Sequence, residues 1–254
     1  MSKIFSICNQ KGGVGKTTTS VNLSAALSLN NKKVLLIDMD PQGNATMGSG
    51  IDKYELEYSL ADLLLENNKN IEEIIFNSDE GFDVIPANQA LTFAEVKLLE
   101  LKNRELILRK ILENIKDNYQ YIVIDCPPSL NILTVNALAV SDYVIIPTQC
   151  EYYALEGLTA LLETIDKIKI SVNESLKIGG ILRTMYDPRN NLAQDVSSEL
   201  ETHFGKNVLN TIIPRNVSLA EAPSYGSSII SYDKSSKGSI SYLALAGELV
   251  RTSK

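Results

Sequence analysis

The run Gln10-Lys11-Gly12-Gly13-Val14-Gly15-Lys16-Thr17-Thr18 follows the apolar stretch Ile4-Phe5-Ser6-Ile7-Cys8 and precedes Val21-Asn22-Leu23-Ser24-Ala25-Ala26-Leu27. The order is strand, glycine loop, helix, and it allows few folds. Glycines without Cβ let successive N–H groups curl inward, and the helix that follows adds its positive end, so the expected guest is a polyphosphate. In such a loop Lys16 reaches the β- and γ-phosphates and the Thr17 hydroxyl holds Mg²⁺. The spacing departs from G-x-x-x-x-G-K-[ST] at one place: Gln10 stands where the first glycine belongs, and a second lysine, Lys11, precedes the paired glycines.

Two later strands end in acids. Lys33 to Asp38 is a continuous apolar run of the kind found in parallel sheets covered on both faces, and it opens into Asp38-Met39-Asp40-Pro41-Gln42-Gly43-Asn44. Loops leaving the C-terminal ends of parallel strands surround the ligand crevice, so both carboxylates are expected to face the phosphates. Tyr121-Ile122-Val123-Ile124-Asp125 has the form of a Walker B segment. Asp125 there binds Mg²⁺ through its water shell, because that ion gives up waters reluctantly. The prolines of Cys126-Pro127-Pro128-Ser129 stiffen a loop suited to reporting the γ-phosphate.

Strands also read at Phe82–Pro86, Tyr143–Pro147 and Ile178–Thr184, alternating with helices, and the final segment gives Thr211-Ile212-Ile213-Pro214-Arg215-Asn216 and then a Pro/Ser/Gly-rich loop. The pattern predicts an α/β fold: a P-loop NTPase-like domain over 1–254, with a mostly parallel twisted sheet and helices on both faces. Ser59 is expected to cap a helix through Leu65, and a second short helix is expected over Ile71–Ile75. Between Thr92 and Asp117, Phe93, Val96 and Leu99, then Leu108, Ile111, Leu112 and Ile115, form an apolar stripe expected to pack on the sheet. Leu192, Val196, Leu200 and Phe204 stripe a further helix, and the only histidine, His203, reads as a surface residue. Leu243, Ala246, Leu249 and Val250 share a face of the closing helix.

The net charge of −7 argues against a nucleic-acid partner until its distribution is considered. Residues 1–176 carry 15 basic and 24 acidic groups, whereas residues 177–254 carry nine and seven, a balance of +2 that permits a DNA-binding face. The three cysteines, Cys8, Cys126 and Cys150, form no C-x-x-C pair and read as buried thiols of a reduced, cytoplasmic protein. No apolar stretch approaches the about 20 residues that cross a bilayer.

The K-G-G-V-G-K-T arrangement resembles the deviant Walker A of the ParA/MinD superfamily. Over nearly the whole chain the sequence is similar to the ParA/Soj branch, the ATPases that segregate bacterial chromosomes and plasmids. The resemblance is carried by Lys11 to Thr18, Asp38 to Asn44, Asp125 to Ser129, Gln149-Cys150-Glu151-Tyr152-Tyr153-Ala154-Leu155-Glu156-Gly157 and Ile213-Pro214-Arg215-Asn216-Val217. It implies ATP bound along Lys11, Gly12, Gly13, Val14, Gly15, Lys16, Thr17 and Thr18, with Pro214 and Asn216 at the adenine and Mg²⁺ held by Thr17 and Asp125. It makes Asp40 the group that orients the attacking water, and Lys11 a lysine that crosses to the nucleotide of a second subunit. Arg189, Lys234 and Lys237 fall where the family contacts DNA, while Ser218 stands where relatives often carry arginine. The implied partners are a second copy of the chain in an ATP sandwich, non-specific duplex DNA, which makes the protein nucleoid-associated, and a ParB-like centromere-binding protein.

Three rivals share the scaffold. A MinD-like membrane ATPase needs a basic amphipathic tail, and here only Arg251 and Lys254 are terminal cations, so no membrane partner is expected. A small-molecule ATP-dependent ligase or kinase needs a second substrate pocket, and none is recognisable in the sequence. A reductase like the nitrogenase iron protein needs cluster cysteines past the Walker B strand, and residues 127–149 contain none.

Overall fold

Alternate residues of the buried strands feed two separate cores, as the two-residue period requires of a sheet covered on both faces. The computed structural model describes residues 2–29, 31–65 and 70–253, so Lys254 lies outside them. The strands are β1 (Lys3–Ile7), β2 (Val34–Asp38), β3 (Phe76–Asn77), β4 (Asp83–Ile85), β5 (Tyr121–Asp125), β6 (Tyr143–Gln149), β7 (Lys177–Tyr186) and β8 (Val208–Pro214). They form one sheet in the order β3-β4-β2-β5-β1-β6-β7-β8, with every neighbour parallel except β3, which runs against β4. Ile4, Leu35, Ile37, Ile122, Ile124, Val144 and Ile146 point into one core. Phe5, Ile7, Leu36, Val123 and Ile145 point into the other.

Helices α3 (Leu60–Leu65), α4 (Ala90–Leu98), α5 (Ile107–Glu113), α6 (Ile132–Val140), α7 (Ala154–Ser171) and α8 (Asn191–Phe204) close the first core. The second lies under α1 (Lys16–Ser28), α2 (Asn44–Gly48), α9 (Val217–Glu221), α10 (Ile229–Tyr232) and α11 (Lys237–Thr252). Isolated helices as short as α2 and α10 are unstable in water, so packing against these cores is what holds them. Ser59 and Asp62 cap α3 reciprocally: the Ala61 N–H donates to the Ser59 hydroxyl and the Ser59 N–H to the Asp62 carboxylate.

Chain order reverses at β1, which has β5 and β2 on one side and β6, β7 and β8 on the other. Such a reversal opens a crevice at the C-terminal ends of the strands, and the glycine loop leaves β1 there. Register brings the acids to the same edge: Ile7 is opposite Asp125, and Asp125 is opposite Asp38.

Three expectations need correction. On α4 the buried residues are Leu91, Ala94 and Leu98, while Phe93, Val96 and Leu99 are exposed. The helix carries two apolar stripes, and the one with the small Ala94 fits closely against α3 and α6, leaving Phe93 outside with Lys97 over its ring. On α8 Leu192 is exposed, although Val196 and Leu200 are buried. Ile71–Glu73 is a single 3₁₀ turn, followed by the short strand β3 that the sequence reading missed.

Candidate functional site

The loop from Asn9 to Gly15 has the shape of an open cradle. Gly13 and Gly15 have φ of +74° and +86°, a region that favours glycine. A Cβ built on Gly12 or Gly13 would meet no atom within 4 Å, so the space above the loop is free for a ligand. At the start of α1 no side chain caps the helix and no acid lies in the first turn, which leaves its N–H groups to whatever enters the cradle. Lys16 is buried, and its Nζ donates to the Lys11 carbonyl at 3.1 Å. A buried ammonium needs compensating negative charge, and a phosphate in the loop supplies it.

Three carboxylates converge below this loop. Asp125 accepts from Thr17 Oγ1 at 2.9 Å and from Ser20 Oγ at 2.7 Å. Asp38 accepts from the Thr46 N–H and hydroxyl, each at 2.8 Å, and from the Asp40 N–H at 3.1 Å. These bonds make Asp38 the brace of the acidic loop. Asp40 in turn accepts from the Gln42 N–H at 3.0 Å, and its carbonyl takes the Gly43 N–H at 2.9 Å. Burial pushes the Asp125 carboxyl well above its ordinary range and the Asp38 charge adds to the effect, against the bonds from Ser20 and Thr17. Asp38 shifts the same way, again chiefly by burial. A divalent cation relieves such repulsion, and the Thr17 hydroxyl and Asp125 carboxylate are hard oxygen donors already side by side. Among the described residues no three His, Cys, Asp or Glu side chains form a cation cage; Mg²⁺, which gives up waters reluctantly and takes few protein ligands, would fit so sparse a donor set.

Beyond the cradle lies a cavity of about 200 Å³, lined by Gly15, Thr18, Thr184, Met185, Ile213, Pro214, Arg215, Asn216, Leu219, Ala220 and Tyr242. Its walls are largely apolar and it adjoins the first turn of α1, which suits a flat heterocycle joined to phosphates. Pro214 and Asn216 are both in this wall, and Asn216 Oδ1 also caps α9 by accepting from the Leu219 N–H at 3.0 Å. Thr184, Met185, Arg215 and Tyr242 escaped the sequence reading. Met185 has a left-handed φ of +50°, a conformation costly for a side chain with a Cβ, and its sulfur takes a contact from Gln149 Nε2. Thr184 donates to the Val14 carbonyl at 2.8 Å, tying β7 to the glycine loop. A larger hollow of about 710 Å³ lies at the opposite, N-terminal ends of β1 and β6, where Arg109 and Lys116 mingle with Glu113, Asp117, Asp142 and Glu174. Nothing joins it to the loop chemistry.

Lys11 is oriented differently from Lys16. Its ammonium lies outside the cradle, 2.5 Å from Glu151 Oε2, and both side chains are half exposed. Tyr152 and Tyr153 follow directly, exposed and packed edge to face. The three cations expected to face DNA are all exposed but come from two places: Arg189 from the β7–α8 loop, Lys234 and Lys237 from the entry to α11. Arg189 is paired with Asp187. The positive balance of the C-terminal third is partly internal, because Arg183 is buried against Ser197, Glu201 and the Leu209 carbonyl.

Comparison with known proteins adds three relationships and one family model. The model, described as an AAA domain, matches residues 2–178. The sporulation initiation inhibitor protein Soj of Bacillus subtilis is 52% identical over 249 residues, 98% of each chain. The chromosome-partitioning ATPase Soj of Treponema pallidum is 49% identical over 251 residues, again 98% of each. Among solved structures, the cobyrinic acid a,c-diamide synthase of Mycobacterium smegmatis with bound ADP and magnesium superposes with a TM-score of 0.87 at 36% identity, covering 99% of this chain and 95% of that one.

Proposed function

Because the chain belongs to the ParA/Soj family of chromosome-partitioning ATPases, we propose that it is a nucleotide switch that dimerises around ATP and binds duplex DNA only as that dimer. The chain is an ATPase, with Mg²⁺ as cofactor. A ParB-like partner stimulates its slow turnover, and the dimer acts on the nucleoid. The observation that carries this reading is the contrast between the two lysines of one loop: Lys16 is buried in its own cradle, and Lys11 is outside it. A cation that does not serve its own site, and that is held only by a half-exposed pair with Glu151, can be given up to the nucleotide of a second copy.

In this scheme Lys16 and the first-turn N–H groups of α1 bind the phosphates, and Met185, Pro214 and Asn216 flank the base. Thr17 and Asp125 hold the metal, which when bound neutralises charge on the β- and γ-phosphate oxygens. Asp40 orients the attacking water from a loop that Asp38 keeps rigid. Two ATP molecules lie between the protomers, so loss of the γ-phosphate weakens both halves of the interface at once. Two copies also double the cations presented to DNA, which is why the monomer binds it feebly.

A membrane-tail reading finds little support, since Tyr242, Leu245, Ala246 and Leu249 of α11 are buried in the second core. Among the described residues no helix is long and apolar enough to cross a bilayer. A second reading, an ATP-dependent enzyme acting on a small molecule, is favoured by the 36% identity to the Mycobacterium smegmatis synthase. Light scattering with a non-hydrolysable ATP analogue or ADP separates the readings. The switch predicts dimers with the analogue, monomers with ADP, and a Lys11→Ala variant that binds nucleotide yet stays monomeric. Nucleotide-independent mass, or equal loss of nucleotide binding in Lys11→Ala and Lys16→Ala, contradicts it.

A further inference from the structure

We propose that Asp187 is a built-in counter-ion that holds Arg189 back from duplex DNA, so that one carboxylate per protomer limits the affinity of the DNA-binding face. The inference rests on the reading above, in which Arg189 meets phosphates. Arg189 Nε donates to Asp187 Oδ1 at 2.9 Å and its NH2 group to Oδ2 at 2.8 Å, while the Arg189 N–H donates to Oδ1 at 3.0 Å. Of the four ion pairs among the described residues, this alone has two guanidinium nitrogens on both oxygens of one carboxylate. The fork that would recognise a phosphate is therefore already occupied by a group of the same shape and sign. Bonds from Arg189 hold the Asp187 carboxyl down to about 2, so the pair is charged throughout the working pH range.

A duplex phosphate approaching Arg189 has two options. It can displace Asp187, which costs the existing pair, or it can sit beside Asp187, which sets one anion against another. Either lowers affinity. Little in the fold requires the charge, since exposed pairs contribute little to stability and the Arg189 side chain is 88% exposed. A carboxylate also lies beside residue 218, where the Ser218 hydroxyl donates to Asp233 Oδ2 at 3.4 Å, so an arginine introduced there would meet an anion as well.

Position makes the restraint useful. Asp187 follows Thr184, which is bonded to the glycine loop, and Met185, which walls the base cavity. The neighbouring Tyr186 carbonyl takes the Arg215 N–H at 3.1 Å, and the Arg215 charge also acts on Asp187. The counter-ion thus belongs to the short segment that joins the nucleotide cavity to the DNA-facing arginine.

Asp187→Asn isolates the charge, because an asparagine oxygen still accepts from the Arg189 N–H and keeps the turn. The experiment is an anisotropy titration of two unrelated duplexes, with a non-hydrolysable ATP analogue and across a salt series. Parent, Asp187→Asn, Arg189→Gln and the double variant are compared, with thermal melts to show that each is folded. Asp187→Asn is expected to bind about three- to tenfold more tightly at low salt. Two freed cations per dimer steepen its salt slope by about 1.8, from 0.9 per phosphate contact. The double variant is expected to gain clearly less over Arg189→Gln than Asp187→Asn gains over the parent, since most of the carboxylate's effect passes through the arginine. Unchanged binding by Asp187→Asn, alongside weakened binding by Arg189→Gln, overturns the counter-ion and leaves the DNA reading standing. An Asp187→Asn gain that persists in full without Arg189 also overturns it. If Arg189→Gln binds like the parent, or no protein binds either duplex, the DNA reading fails and the counter-ion with it.

Discussion

The phosphate end of the nucleotide site and the exposed turn that carries Arg189 solve the same electrostatic problem in opposite ways. Around the cradle the charged groups are buried and fixed: Lys16 lies on the Lys11 carbonyl, Asp125 on Thr17 and Ser20, and Asp38 on Thr46. On the turn after β7 the charge faces solvent: Arg189 is exposed and paired with Asp187 two residues away. Burial strengthens every interaction in the first region, so single changes there should act in an all-or-none way. Exposure and salt screening weaken those in the second, so changes there should be graded.

Lys16→Ala tests the contrast at its strong end. Removing the one buried ammonium of the cradle should lower nucleotide affinity by about 100-fold or more, as measured by calorimetry, in line with the loss of a preorganised phosphate contact. A change under about threefold would mean that the backbone amides suffice and the buried region is not all-or-none. Asp40→Ala comes next. Turnover should fall by about 100-fold while ATP binding is retained, and dimers should accumulate because only hydrolysis is lost. Parent-like turnover, or failure to bind ATP, would break the assignment of Asp40 to the water.

Ser218→Arg is the smallest effect and sharpens the other side. An added arginine should raise DNA affinity by no more than about twofold because Asp233 neutralises it, and pairing it with Asp233→Asn should release a further gain of about threefold to tenfold. A large gain from Ser218→Arg alone would show that residue 218 and Asp233 do not interact.

The contrast also explains which parts of the molecule were legible from the sequence. Runs such as Leu35-Leu36-Ile37-Asp38 and Ile122-Val123-Ile124-Asp125 carry strand, burial and chemistry in consecutive residues, and parallel register does the rest by setting Asp38 opposite Asp125. The base cavity has no such local code. Met185 lies in β7, Arg215 just after β8 and Tyr242 in α11, and only tertiary packing brings them to Gly15 and Thr18. The α4 stripe was misread because Phe93, Val96 and Leu99 repeat at nearly the same spacing as Leu91, Ala94 and Leu98, and periodicity cannot rank two stripes that differ mainly in how closely they let the helix approach. The pairing of Arg189 with Asp187 was written only two residues apart, but a count of net charge averages over such neighbours and conceals them.

The most direct test of the switch is whether duplex DNA binding follows the nucleotide. Filter binding of two unrelated duplexes at fixed salt, with ATP analogue, with ADP, and with analogue plus the Lys11→Ala variant, isolates that dependence. The account predicts retention of both duplexes with the analogue alone, and little with ADP or with Lys11→Ala. Equal retention with ADP and with the analogue, or undiminished retention by Lys11→Ala, would contradict it.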